Sequence, residues 1–447
     1  MRKVLVLAYH FPPQGGSGTI RAAKFCKYLP EFGWEAIVVT TSFITHLDQG
    51  LLDDLPFGLQ VHRTYDLYLM LQRLGVVTSI PDFSRVIEHT ESSRKISSQS
   101  PQVFRRLKSV SKSALTRMLA PDINILSWAP FSYRCACQLI ERNQIEAVFT
   151  TSPPHSVQLV GHWLKRRYPQ LPWIMDLRDL WSQSRFIVGT SSYQTAYRQE
   201  RQCLQSADRV LVVTEGIRQL TLIKFPGIDE TRILTLTNGF DFGELEELAS
   251  GRMSNRFTIT HVGTWYESTG KDPFISVLQK LAADAELSKR IQFRFIGYIP
   301  DTVRKELVPL CSDGFVVTRP PVPYGEALVE IRKADIVLLK FPSDIPDFEL
   351  SHSNKLFDYL GCGKMILAVI PSAGEAARLI QQENAGIVVS PDTPEETYAA
   401  ILSLLNRFEA APTNSSSSSA KNSRYHRRSL TKVLAKVLDE CAGKGRS

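Results

Sequence analysis

The apolar positions of this chain fall into short dense runs separated by stretches with helical spacing. Val4 to Ala8, Glu35 to Thr41, Ala147 to Thr151, Trp173 to Asp176 and Arg209 to Val213 are such runs, and Gln60 to Tyr65 reads as a further strand. A continuous apolar run marks a strand buried on both faces. Between the runs the spacing predicts helices near Ile20 to Phe32, Tyr133 to Arg142, His155 to Arg167 and Tyr193 to Ser206. Strands alternating with helices are the mark of parallel βαβ units. After a turn at Asn238-Gly239-Phe240-Asp241 the pattern restarts, with strands expected at Phe257 to Val262, Ile291 to Ile296, Phe315 to Val317, Ile336 to Leu339, Met365 to Val369 and Gly386 to Val389. The expectation is an α/β chain of two Rossmann-like doubly wound parallel-sheet domains, 1–240 and 255–407. Open sheets of this kind bind ligands beyond the carboxyl ends of their strands, so two in tandem face a shared cleft.

Two stretches interrupt the alternation. Residues 66–127 are irregular and polar and read as an insertion in the first domain. Ser415 to Ser419 forms a low-complexity spacer within a linker at 408–423. Beyond it, Tyr425 to Cys441 has helical spacing, with Leu430, Val433, Leu434, Val437 and Leu438 on one face.

Composition narrows the class. With 447 residues, 43% hydrophobic and 22% charged, the chain suits a soluble globular protein with a sizeable core. The run Val4 to Ala8 is too short for the apolar core of a secretory signal, and no segment approaches the roughly 20 apolar residues of a spanning helix. A cytoplasmic protein, or one peripheral to the inner face of the plasma membrane, is expected. The seven cysteines are scattered with no zinc spacing, which reads as thiols in a reducing compartment and no metal site. The net charge of +8 is modest, but Arg94, Lys95, Arg105, Arg106, Lys108, Lys112 and Arg117 occur within a stretch free of acids. With Leu107, Val110, Ala114, Leu115, Met118 and Leu119 beside them, residues 94–117 read either as an amphipathic anionic-membrane contact or as a solvated insert. Nucleic acid is not expected, since only Phe104 stands among these charges.

Candidate chemistry gathers where strands end. Gly15, Gly16 and Gly18 lie between the first strand and a helix, where backbone approaches a ligand closely and a helix N-terminus attracts anions. A dinucleotide fingerprint is disfavoured: Arg21 stands where a third glycine belongs, and the second strand ends in Thr40-Thr41 with no acid for a ribose. His155 follows Thr151-Ser152-Pro153-Pro154, and the strand end WIMDLRDLW carries Asp176, Arg178 and Asp179. These three read either as pocket groups or as an ion-pair network, and His155 either as a site residue or as a cap. In the second half, Gly263 to Pro273 includes Lys271, Gly297 ends a strand, and Tyr324 follows Pro321. The segment Leu350 to Val389 carries Lys355 and Asp358 on one helix, Gly361 and Gly363 in a turn, then Gly374 and Glu375 at the opening of another helix.

The strings FPPQGGSGTIR, DLRDLW, TNGFD and NKLFDYLGCGK resemble retaining glycosyltransferases with the GT-B fold, in particular those like glycosyltransferase family four. The resemblance implies transfer of a sugar from a nucleotide-sugar donor to a saccharide or polyprenyl-linked acceptor, with retention of configuration and with no cofactor or bound metal. It implies roles for Lys271, Lys355 and Asp358 in the chemistry. Donor contacts would come from Gly16, Gly263, Gly297, Tyr324, Lys355, Asp358, Gly374 and Glu375, with Tyr324 either stacking on the base or packing. Acceptor-side groups would be Gly15, Gly18, Arg21, His155, Asp176, Arg178 and Asp179. The C-terminal segment 424–447 would pack back across the domain junction. The pattern departs from the family at two places. Thr264 stands where an arginine is common, and Leu350 stands where the first of two glutamates falls, with Glu349 or Asp347 as substitutes. Those departures keep open a non-catalytic scaffold. A nucleotide-sugar epimerase on the same fold is a further alternative, although no converging acid/base pair is visible.

Overall fold

The computed structural model describes residues 1–44, 47–73, 122–241, 254–268, 270–410 and 424–444. The basic segment 94–117 and the serine spacer lie outside them. The first sheet contains β1 (Arg2–Ala8), β2 (Trp34–Thr41), β3 (Gln60–Thr64), β4 (Ile145–Ser152), β5 (Trp173–Leu177), β6 (Arg209–Val212) and β7 (Ile233–Thr235). They are parallel in the order β3-β2-β1-β4-β5-β6-β7. The second contains β8 (Phe257–Val262), β9 (Ile291–Ile296), β10 (Val316–Arg319), β11 (Ile336–Lys340), β12 (Ile366–Val369) and β13 (Gly386–Val389). These are parallel in the order β10-β9-β8-β11-β12-β13. This is the expected two-domain GT-B architecture.

Both sheets reverse direction of travel beside their first strand, between β1 and β4 and between β8 and β11. Loops leaving neighbouring strands at a switch point diverge to opposite faces and leave a crevice. The crevices fall at Tyr9–Gly18 with Ser152–His155 in the first domain, and at Gly263 with the loop after Lys340 in the second. Each sheet buries both faces. In the first, Leu5, Leu7, Val148 and Met175 pack under helices Ala129–Asn143, Ser156–Arg167 and Tyr193–Ser206. Its other face, with Val4, Val6 and Phe149, packs under helix Ser17–Tyr28.

Several elements were not legible in the pattern, among them short helices at Gln49–Asp53 and, within the stretch read as irregular, at Leu67–Arg73 and Asn124–Ser127. Helix Glu215–Lys224 is started by Thr214, whose hydroxyl accepts from the Ile217 amide. β7 is only three residues long at the sheet edge. The C-terminal helix Arg427–Lys444 packs into the first domain's core, where Leu430, Leu434, Val437 and Leu438 meet Val4, Phe25 and Trp34. Val433, placed by periodicity on that face, is 47% exposed, because the buried stripe runs through its neighbours at 430, 434, 437, 438 and 441. The junction itself is held by backbone. Phe240 N donates to the Tyr425 carbonyl (3.0 Å), and Arg427 N to the Phe240 carbonyl (2.9 Å).

Candidate active site

At the end of β8 the chain turns through Gly263 (φ 108°), which packs against Gly297 (φ 134°) at the end of β9. A Cβ on Gly297 would overlap the Gly263 carbonyl, so only glycine allows the two loops to meet. Over this turn lies Lys355, from the first turn of helix Asn354–Gly361. Its ammonium donates to the Thr264 carbonyl (3.1 Å) and sits 5.3 Å from the Tyr266 ring centroid. Among the described residues no carboxylate forms an ion pair with it. Burial, reinforced by Lys340, pulls its pKa down to about 7. Desolvation without a counter-charge opposes the charged form of this amine.

Lys340 is the other buried cation in this corner, and it is already neutralised: Asp272 lies 2.5 Å away and the Trp265 ring beneath it. Lys271, expected to share the phosphate charge, is exposed to solvent. Its neighbour Asp272 turns inward instead, capping helix Pro273–Ala283 and accepting from Trp265 Nε1 (2.9 Å).

Asp358, one turn along from Lys355, is 7% exposed and accepts from the Tyr324 hydroxyl (2.7 Å). Burial raises its carboxyl to about 6 despite that bond. Tyr324 is therefore anchored at both ends, its amide donating to Asp48 Oδ2 of the first domain (3.0 Å). The phenol's hydroxyl is committed to Asp358, which favours packing among the two roles read for Tyr324.

Helix Asn354–Gly361 starts beside helix Glu375–Gln382, which Gly374 precedes. Here Ser353 Oγ is buried with no hydrogen-bond partner among the described residues. His352 has a contact with the Glu375 backbone and Glu375 an ion pair with Arg378. Two helix N-termini with an unmatched hydroxyl between them suit a phosphate or sugar. Leu350 faces the other way. It packs on the first domain's core while its carbonyl accepts from Thr214 Oγ1 (2.6 Å). Of its substitutes, Glu349 is exposed. Asp347 crosses the cleft, accepting from Ser184 Oγ (2.9 Å) and Arg185 N (3.2 Å).

In the first domain several expected pocket groups prove structural. Arg21 and Asp176 form an ion pair whose side chains are 0% exposed. Arg21 also donates to the Leu236 and Thr237 carbonyls, and Asp176 accepts from Thr151 Oγ1 (2.6 Å). Neither has a face left for an acceptor. Arg178 is likewise committed, donating to the carbonyls of Ser152 (2.8 Å), Gly18 (2.6 Å) and Pro153 (3.3 Å). It clamps the glycine loop to the loop after β4. The ring of His155 stacks on Trp181 with centroids 5.1 Å apart, and Nε2 lies 3.2 Å from the Leu180 carbonyl. Burial holds it neutral, with a pKa near 4, and it makes no side-chain cap. Asp179 differs from these. It accepts no hydrogen bond among the described residues, burial raises its pKa, and it stands close enough to Asp347 and Tyr266 for their charges to interact. Gly16 (φ 104°) is exposed with open space in front of it, Gly15 is half-buried behind it, and Gly18 faces the His10 ring.

Residues 15–239, half of the chain, match the family described as "Glycosyl transferase 4-like domain". The chain belongs to this family. A comparison with curated protein sequences returns no match. Solved structures share the fold of this glycosyl transferase 4-like protein over nearly its whole length. The trehalose-6-phosphate phosphatase N-terminal domain of Candida albicans aligns at a TM-score of 0.64 with 11% identity, covering 99% of this chain and 97% of its own. S. aureus MnaA, in a co-structure with UDP, aligns at 0.55 with 11% identity, covering 98% and 96%. The glycotransferase of kitacinnamycin aligns at 0.54 with 11% identity, covering 98% of both chains. In this family member, sequence reasoning passed over His352, Lys340 and Arg427. Each is a polar residue inside an otherwise apolar or basic string, with no spacing signal of its own.

Proposed function

We propose that the protein is a retaining hexosyltransferase that moves a sugar from a nucleotide-sugar donor to a saccharide or lipid-linked saccharide acceptor in cell-surface polysaccharide biosynthesis. The observation that carries this reading is the Lys355 ammonium, over the Gly263 turn and beside two helix N-termini, with no ion-pair partner among the described residues. As the bond between the sugar C1 and the diphosphate breaks, negative charge grows on the leaving oxygen. Lys355 and the backbone N–H groups near Gly374 and Gly16 stabilise that charge, a preorganised electrostatic role that needs no bound metal. The acceptor oxygen bonds to C1 on the face the diphosphate leaves, and its proton passes to the departing phosphate oxygen. Asp358 is positioned for ribose hydroxyls, in exchange with or alongside the Tyr324 hydroxyl. Asp179 is the first-domain carboxylate best placed to meet an acceptor hydroxyl.

Thermal stability against a panel of nucleoside diphosphates and nucleotide sugars tests the donor site, because a ligand of the native state raises stability. A rise with one diphosphate, absent in Lys355→Ala, is expected; no rise with any of them overturns the reading. Product analysis by NMR then separates the rivals: an α-linked product from an α-donor marks retaining transfer, a changed free donor marks epimerisation, and binding without turnover marks a scaffold. The membrane-facing part of the proposal rests on residues 94–117. It predicts flotation with anionic vesicles that is lost when the seven cations become Gln.

A further inference from the structure

Arg427 is an arginine whose side chain the protein itself leaves largely unused. It opens the C-terminal helix, its amide bonded to the Phe240 carbonyl and its own carbonyl accepting from Thr431 Oγ1 (2.8 Å). The residue is 1% exposed. Its guanidinium makes one long hydrogen bond, from Nη2 to Asn354 Oδ1 (3.4 Å), while Nε and Nη1 have no partner among the described residues. The nearby charges are Arg21, Asp358 and Asp241, none in ion-pair contact with it. Each acid is committed elsewhere: Asp358 to Tyr324, and Asp241 to Lys24, Lys27 and Tyr28.

The same fold shows what a structural arginine looks like. Arg21 makes a bidentate ion pair with Asp176 and two carbonyl bonds, and Arg178 reaches three carbonyls. A buried guanidinium with unmatched donors is strongly disfavoured unless something supplies the missing acceptors. Asn354, its one partner, is the first residue of the helix that carries Lys355 and Asp358. The unmatched charge therefore adjoins the donor site described above, on the side of the domain junction.

We propose that Arg427 is a donor-binding residue, giving its free N–H groups to anionic oxygens of the nucleotide's diphosphate, so that the C-terminal helix completes the site from the first domain. This rests on the nucleotide-sugar reading of the same cleft.

Calorimetric titration of the full-length protein tests the assignment, with inorganic pyrophosphate, the best-binding nucleoside diphosphate and the matching nucleoside as probes. Arg427→Gln is expected to weaken the two diphosphate probes by about tenfold or more while leaving nucleoside affinity unchanged. Arg427→Lys, which keeps the charge but not the planar fork, is expected to recover part of the loss, and it carries the test if the Gln variant does not fold. Equal diphosphate binding by wild type and Arg427→Gln overturns the inference, as does an equal loss for nucleoside and diphosphate, which marks a purely structural role at the junction. Lys355→Ala runs alongside. Binding lost there but retained in both Arg427 variants sinks only this inference, whereas a wild type that binds no diphosphate sinks the donor site with it.

Discussion

Raising the pH should release the nucleotide from this protein. Burial and Lys340 both oppose the charge of Lys355 and pull its pKa down to about 7. A bound diphosphate supplies the missing counter-charge and returns the amine toward its ordinary value of 10.5. Binding then takes up a proton, so affinity is complete below pH 7 and is lost as pH rises through it. At pH 7 half of the empty sites hold the proton; at pH 9 about one in a hundred does. The diphosphate should therefore bind about 50-fold more weakly at pH 9 than at pH 7, roughly 2.3 kcal/mol of coupling. Its terminal phosphate is largely ionised across this range and, where it still titrates, works in the opposite direction. Titration calorimetry in buffers of different ionisation enthalpy reads the linkage directly, with an uptake of about half a proton at pH 7 rising to about one at pH 9. In Lys355→Ala the residual binding should be weak and nearly flat with pH. A wild-type affinity constant from pH 7 to 9, or the same slope in the variant, would refute the reasoning.

Five other substitutions bear on the account. Gly297→Ala forces a Cβ onto the Gly263 carbonyl at φ 134°, costing about 1–3 kcal/mol of strain and abolishing diphosphate binding; an unchanged melting curve would contradict it. Asp176→Ala leaves Arg21 buried without its partner and should cost about 3–5 kcal/mol in urea denaturation, whereas an acceptor-pocket role predicts a raised KM at unchanged stability. Leu434→Ala should destabilise by about 2–5 kcal/mol and Val433→Ala by under about 0.5, which checks the face on which the C-terminal helix packs. Asp347→Ala removes two bonds across the cleft, each worth about 1 kcal/mol, and should enlarge the radius of gyration in solution scattering while weakening donor binding.

The strands were the most legible part of the chain because burial on both faces writes an unbroken apolar run. β8, β9 and β13 begin and end where the pattern places them. β7 was invisible since three residues at a sheet edge carry no pattern. Site residues were legible by position and not by role. A polar residue at a strand end lies at the mouth of a cleft, but the same string contains groups that build the mouth and groups that face it. Asp176 and Asp179 are three apart in DLRD, yet one is locked between Arg21 and Thr151 and the other accepts nothing. What separates them is a partner 155 residues away in the chain, and local spacing cannot report that. Lys271 and Lys340 make the same point in the second domain. The exposed lysine sits in the recognisable loop, while the buried one ends a strand that reads as core.

The distribution of unmet polar groups shows how the two domains divide the work. In the first domain, those beside the cleft include the neutral Thr19 Oγ1, His155 Nδ1 and Ser156 Oγ, together with the Asp179 carboxyl, which accepts no hydrogen bond among the described residues. Its buried charges Arg21, Asp176 and Arg178 are fully paired or bonded to carbonyls. Across the cleft, Lys355 has a carbonyl partner but no ion pair among the described residues, and Arg427, at the start of the C-terminal helix, has Nε and Nη1 without a partner among them. Burying an unmatched charge costs more than burying a neutral hydroxyl, so these two cations carry the larger penalty. A ligand that relieves it must be charged and must reach both Lys355 and the domain junction. A nucleoside alone cannot, and neither can a neutral sugar. On the proposed reading, a diphosphate bridging Lys355 and Arg427 would tie occupancy of the site to the helix that begins at Arg427 and packs into the core of the first domain.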